Sequence, residues 1–124
     1  VKLVDTCGWI EWLIDGKLAC QFEAALTDTD QLLVPTTVQF ELYKWVRRER
    51  NEALALETVA LTEQGVVVPL TSSIALLAGD LSLDHSLAFA DAIIYATARQ
   101  QRARVVTCDN HFEGLENVHY IPKS

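Results

Sequence analysis

Short runs of branched apolar residues alternate along this chain with longer stretches in which apolar positions return every three or four residues. The short runs predict β-strands at Lys2–Asp5, Leu32–Val34, Val66–Pro69, Arg104–Thr107 and Val118–Ile121, because successive apolar positions suit a strand buried on both faces. The longer stretches predict helices near Gly8–Ile14, Leu18–Thr27, Thr36–Arg48, Glu52–Gln64, Ser72–Leu81 and Ala88–Gln101, with Pro35 and Thr71–Ser72 as start signals. Strands joined through helices need crossover connections. The pattern therefore predicts an α/β three-layer sandwich with a central, mostly parallel sheet of four to five strands flanked by helices. In such open sheets functional groups gather beyond the carboxyl ends of the strands, where loops and helix N-termini converge.

No repeat or linker interrupts the 124 residues, so one domain spanning 1–124 is expected. Half of the residues are hydrophobic and 22% are charged, enough for a buried core and unlike a disordered chain. No apolar run approaches the roughly 18–20 residues that cross a bilayer, and no basic segment leads into an apolar one at the start, so a soluble, cytoplasmic protein without membrane contact is expected. The lack of methionine implies an initiator ahead of Val1. Cys7, Cys20 and Cys108 show no paired spacing and sit among apolar residues, which predicts reduced core cysteines rather than disulfides or a thiolate metal site. The formal charge of −7 repels nucleic acid unless metal neutralises part of it and the basic residues cluster.

Four carboxylates stand where that neutralisation is needed. Asp5 closes the first apolar strand, in VKLVDT, and can equally cap the helix that follows. Glu41, in VQFELYKW, falls inside the stripe formed by Val38, Leu42 and Trp45, so it must find a partner or escape to water at the edge of the stripe. Asp91 is the sole ionisable carboxylate of AFADAIIYATA, a segment apolar on almost every side; its place in the first helical turn also allows a simple dipole role. Asp109, in RVVTCDNHF, follows another apolar strand and can instead close an Asx turn. Gathered at one sheet edge, these acids raise each other's pKa, and a hard divalent cation relieves the repulsion. Oxygen donors without His or Cys select Mg²⁺ or Mn²⁺ and point to phosphoryl chemistry.

The strand ending in Asp-Thr, the Glu41 helix after Pro35-Thr36, and the segments FADAIIYATA and VTCDNHFEGL together resemble, in order and spacing, the PIN-domain family and within it the VapC-like toxins of toxin–antitoxin pairs. The resemblance runs from end to end and implies a metal site of Asp5, Glu41, Asp91 and Asp109, with Thr6 and Thr107 as orienting hydroxyls. It further implies a Mg²⁺- or Mn²⁺-dependent endoribonuclease acting on single-stranded or structured RNA such as tRNA, leaving a 5′-phosphate and a 3′-hydroxyl. A homodimer and a protein antitoxin whose tail lies along the active-site groove belong to the same implication. Cys7 departs from the pattern, standing where a small hydroxyl residue is frequent.

Arg47, Arg48 and Arg50, and Arg99, Arg102 and Arg104, follow the Glu41 and Asp91 helices; they fit either phosphate contacts or solvated helix C-termini. Trp9, Trp12, Leu13 and Trp45 are expected in the core, and any left exposed predicts a dimer or antitoxin surface. His85, His111 and His119 have no ligand spacing and are expected at the surface or in loops. A receiver-like phosphoacceptor domain also places acids beyond parallel strands, but it needs clustered acids after the first strand, where only Asp5 stands. A catalytically silent PIN-like binding module and a housekeeping RNA-processing nuclease remain alternatives. A metal titration separates the first from an enzyme, and a neighbouring antitoxin frame separates the second from a toxin.

Overall fold

The computed structural model describes residues 1–123. Five strands, β1 (Lys2–Val4), β2 (Leu32–Pro35), β3 (Val66–Val68), β4 (Arg104–Thr107) and β5 (Val118–Tyr120), form one sheet in the order β3-β2-β1-β4-β5. Every pairing is parallel; Leu3 stands opposite Leu33 on one side and Val105 on the other. Six helices flank the sheet: α1 (Thr6–Leu13), α2 (Ala19–Thr27), α3 (Thr36–Glu49), α4 (Glu52–Thr62), α5 (Ser72–His85) and α6 (Phe89–Gln100).

The strand order follows from burial. The central strands are apolar on both faces, and Leu3, Val4, Leu32, Leu33, Val34, Val105 and Val106 all lie in the core. The edge strands are wetter: Val66 of β3 is exposed and β5 has only partly buried or exposed residues. β1 leads outward to β2 and β3, and the chain then returns across the sheet through α5 and α6 to place β4 on the far side of β1. This reversal between β1 and β4 creates the crevice at their carboxyl ends where parallel sheets bind ligands.

Local chemistry sets most boundaries. Pro35 ends β2 with an extended ψ of 144°, and α3 begins at once. Asn51 accepts from the Leu54 amide at 2.9 Å and Thr71 from the Ile74 amide at 3.2 Å, capping α4 and α5. α5 runs past the expected Leu81 to His85 although Leu83, Asp84 and His85 are exposed, carried on by backbone bonding beyond the buried row Ile74, Ala78 and Leu81; it stops where Ser86 turns left-handed at φ 56°. Gly8 lies at the closest approach of α1 to the core: a Cβ there would meet the Phe22 ring at 2.6 Å and Val4 at 2.7 Å. The all-round apolar segment behaves as expected, with Ala92 through Ala98 of α6 buried without exception.

Candidate functional site

Asp5 sits at the crevice between β1 and β4. Its amide donates to Val106 O at 3.0 Å, which keeps the residue in register with β4, while its side chain already caps α1 by accepting from the Thr6 amide at 2.8 Å. Capping and site membership, alternatives in the sequence, therefore coexist: one carboxylate oxygen caps while the other accepts from the Thr107 hydroxyl at 2.9 Å. Thr107 gives its single proton to Asp5, and its oxygen accepts from the Asp109 amide at 2.9 Å. The Cys7 thiol stands against the same pair, 3.3 Å from the Thr107 hydroxyl and 3.6 Å from Asp5. Burial holds the Asp5 carboxyl well above the ordinary carboxylate range, with Cys7 and then Asp91 pushing the same way against the hydrogen bonds from Thr107 and Thr6.

Glu41 reaches the site from α3. Its true stripe is Val38, Leu42 and Val46, all buried, so Glu41 lies on the flank of that row. Trp45, expected in the row, is only partly buried. The Glu41 carboxylate accepts from the Thr6 hydroxyl at 2.6 Å. Burial raises its pKa, opposed first by that bond and reinforced by the charges of Asp91 and Asp109.

Asp91 lies in the first turn of α6, whose start has no side-chain cap because Ala88 stands there. Burial and then the charge of Asp109 raise its pKa. Asp109 closes the foreseen turn, accepting from the His111 amide at 2.9 Å. The four acids thus feel one another: Asp91 raises Asp5 and Glu41, and Asp109 raises Glu41 and Asp91. Among the described residues no lysine or arginine forms an ion pair with any of them; the ion pairs of these side chains join Arg47 to Glu52 and Arg48 to Glu49 at the surface.

Sequence reasoning missed one member. His111, expected as a bystander, places Nδ1 3.3 Å from Asp91 and 3.2 Å from Asp109. Its position two residues beyond Asp109, inside the turn Asp109 closes, was the available signal. Cys20 also departs from expectation: it is exposed rather than in the core, whereas Cys108 is buried and Cys7 partly so.

Two concavities flank the acids. One of about 530 Å³ is lined by Cys7, Cys108, Asp109, Asn110, Tyr120 and Lys123, among others. The other, of about 250 Å³, has Thr6, Phe40, Glu41, Lys44, Trp45 and Arg48 in its wall. Of the two arginine clusters, only Arg48 borders these spaces; Arg99 packs on the Tyr95 ring, 5.3 Å from its centroid.

The donor set fits a divalent cation. Oxygens of Asp91 and Asp109 and the His111 nitrogen lie within 4.8 Å of one another, and the charges of these acids reach Asp5 and Glu41, the Lys44 charge being the smallest influence on Glu41. Three carboxyls with raised pKa retain protons in the folded state that the unfolded chain releases. Their stabilising contribution is complete below the ordinary carboxylate range and is lost as pH rises through the raised values. In EDTA the midpoint of thermal unfolding is expected to fall through these groups over the pH interval above the ordinary carboxylate range, and Mg²⁺ at its upper end to restore it. A midpoint climbing throughout that interval contradicts the coupling.

The sequence model of the PIN domain matches residues 2–117. No curated protein sequence matches the chain. A toxin–antitoxin complex from Klebsiella pneumoniae contains a chain of like structure, with a TM-score of 0.80 at 24% identity over 98% of this chain and 100% of that one. VapC20 of Mycobacterium tuberculosis, described as a sarcin-ricin loop cleaving toxin, is similar with a TM-score of 0.77 at 18% identity over 98% and 100% of the two chains. A DNA-bound VapBC from Salmonella typhimurium gives 0.76 at 16% identity over 98% of each. At these identities the likeness is one of fold.

Proposed function

Because this chain belongs to the PIN-domain family, we propose that it is a Mg²⁺- or Mn²⁺-dependent endoribonuclease and the toxin of a VapBC-type pair. One observation supports the reading: Asp91 and Asp109 lie together with His111, the charges of Asp91 and Asp109 reach Asp5 and Glu41 beside them, and among the described residues no lysine or arginine forms an ion pair with any of the four acids.

In this reading the four carboxylates hold the cation, and Thr107 and Thr6 fix the rotamers of Asp5 and Glu41 by donating to them. The chemistry a bound divalent ion supplies is Lewis-acid stabilisation of charge developing on the scissile phosphate, together with acidification of the attacking water. Lys44, Arg48 and Lys123, on the walls of the flanking concavities, neutralise neighbouring phosphates and draw a strand to an otherwise acidic protein. Phe40, 63% exposed and beneath the Lys44 ammonium, offers a face for an unstacked base, which favours single-stranded substrate.

The structural neighbours from Klebsiella and Salmonella come from toxin–antitoxin assemblies, which supports an antitoxin partner here. The apolar side chains of Leu76, Leu83 and Phe89 on α5 and α6 are each at least 75% exposed, and they are assigned to a homodimer contact. No helix among the described residues is long and apolar enough to cross a membrane, and a cytoplasmic site of action fits an RNA substrate.

Incubation with total tRNA tests the activity. Cleavage is expected with Mn²⁺ or Mg²⁺, none with EDTA, and the new ends should carry 5′-phosphates. Undiminished cleavage in EDTA, or 2′,3′-cyclic phosphate ends, overturns the reading.

A further inference from the structure

The turn after β4 brings an imidazole to the acids, and its geometry is that of a ligand. His111 Nδ1 is 3.3 Å from Asp91 Oδ2 and 3.2 Å from Asp109 Oδ1. Donors at about 2.1 Å around an octahedral ion stand roughly 3.0 Å apart along an edge. The two nitrogen–oxygen separations, at which His111 is hydrogen-bonded to Asp91 and in ion-pair reach of Asp109, are close to that edge length as well.

The backbone around it is fixed from both sides. Asp109 accepts from the His111 amide at 2.9 Å. The next residue, Phe112, is completely buried and packs edge-on against Tyr95, whose hydroxyl donates to Glu116 O at 2.7 Å. A side chain that is 68% exposed thus stands on an anchored turn, free to present its nitrogen without paying for burial.

We propose that His111 is a ligand of the cation held by Asp91 and Asp109, and that its nitrogen makes the site prefer a first-row transition ion such as Mn²⁺ over Mg²⁺. The proposal rests on the metal reading above. Mg²⁺ is bound through oxygen and keeps its own waters, so it gains little from an imidazole, whereas transition ions accept mixed nitrogen and oxygen donors.

The test uses the intact metal-free chain titrated separately with Mn²⁺ and Mg²⁺ by calorimetry, with pulsed electron paramagnetic resonance on the Mn²⁺-loaded protein. The wild type is expected to show a nitrogen-14 coupling that disappears when histidine is labelled with nitrogen-15. His111→Ala is expected to lose the coupling and to weaken Mn²⁺ binding at least tenfold while changing Mg²⁺ binding by less than about threefold. His111→Gln, which offers an amide oxygen, should retain Mg²⁺ binding without the nitrogen signal. Tight Mn²⁺ binding without nitrogen coupling, or equal loss of both metals in His111→Ala, overturns the ligand role while leaving the metal site standing. Failure of the wild type to bind either metal overturns both. The resonance experiment needs no variant, so poor folding of a substituted chain does not shelter the proposal.

Discussion

Asp91→Asn is expected to lose metal-dependent RNA cleavage by more than about a hundredfold while its metal-free fold becomes more resistant to heat at neutral pH. The loss follows from position: removal of a group that only supports a metal ligand commonly costs 10- to 100-fold, and a ligand itself should cost more. The gain follows from electrostatics. Burial and the neighbouring Asp109 both disfavour the Asp91 carboxylate, so a neutral amide of the same shape removes a repelled charge. That gain should vanish as pH falls through the raised pKa, where the wild-type carboxyl takes up its own proton. The rise in unfolding midpoint on adding Mn²⁺ should shrink in the variant, since a weaker site stabilises less by mass action. Full activity in Asp91→Asn removes the basis for the catalytic assignment, and a lower midpoint in EDTA shows that the acid is structural.

Gly8→Ala should be among the most damaging small substitutions outside the site. The added methyl would stand 2.6 Å from the Phe22 ring and 2.7 Å from Val4, both members of the core cluster. Phe22 is fully buried, so the ring cannot swing into solvent; either α1 lifts from the sheet or the core repacks. Overpacking of this kind costs about 1–3 kcal/mol, which lowers the unfolding midpoint by roughly 3–15 °C for a chain of this size. Because α1 begins at Thr6, a lifted helix also displaces the hydroxyl that holds Glu41. Gly79→Ala is the control. No atom lies within 4 Å of its added methyl, and in the middle of α5 alanine should stabilise by about 0.5–1 kcal/mol. Thermal unfolding of the pair in EDTA should move in opposite directions. Equal midpoints for wild type and Gly8→Ala would mean that α1 is free to shift.

All five strands and six helices were legible in the chain, with ends displaced by a few residues. The largest displacement, in α5, arose where the apolar period gave way to Ser-Leu-Asp-His and the helix was carried on by backbone bonding and a left-handed stop at Ser86. The two short 3₁₀ turns at Thr29–Gln31 and Asn110–Phe112 lacked any periodic signal. Trp45 was misplaced for a related reason. Spacings of three and four are both admissible on a helix, and the choice of Val46 over Trp45 was made by what packs against α3.

The site was legible only in part. The acids stood out because carboxylates at the ends of apolar strands and within a buried helix are costly unless something answers them. His111 and Lys44 did not stand out, since an exposed histidine or lysine costs nothing wherever it lies.

What the chain alone determined is the alternation of buried strands and helices and the presence of acids at their ends, because burial periodicity and turn chemistry act over a few neighbouring residues. Which strand lies beside which was decided by the tertiary structure. Threading β4 against β1 brings Thr107 to Asp5 across 102 residues, and seating α3 beside α1 brings Glu41 to Thr6 across 35. Such meetings depend on how the whole core closes, and no local pattern in the sequence carries that information.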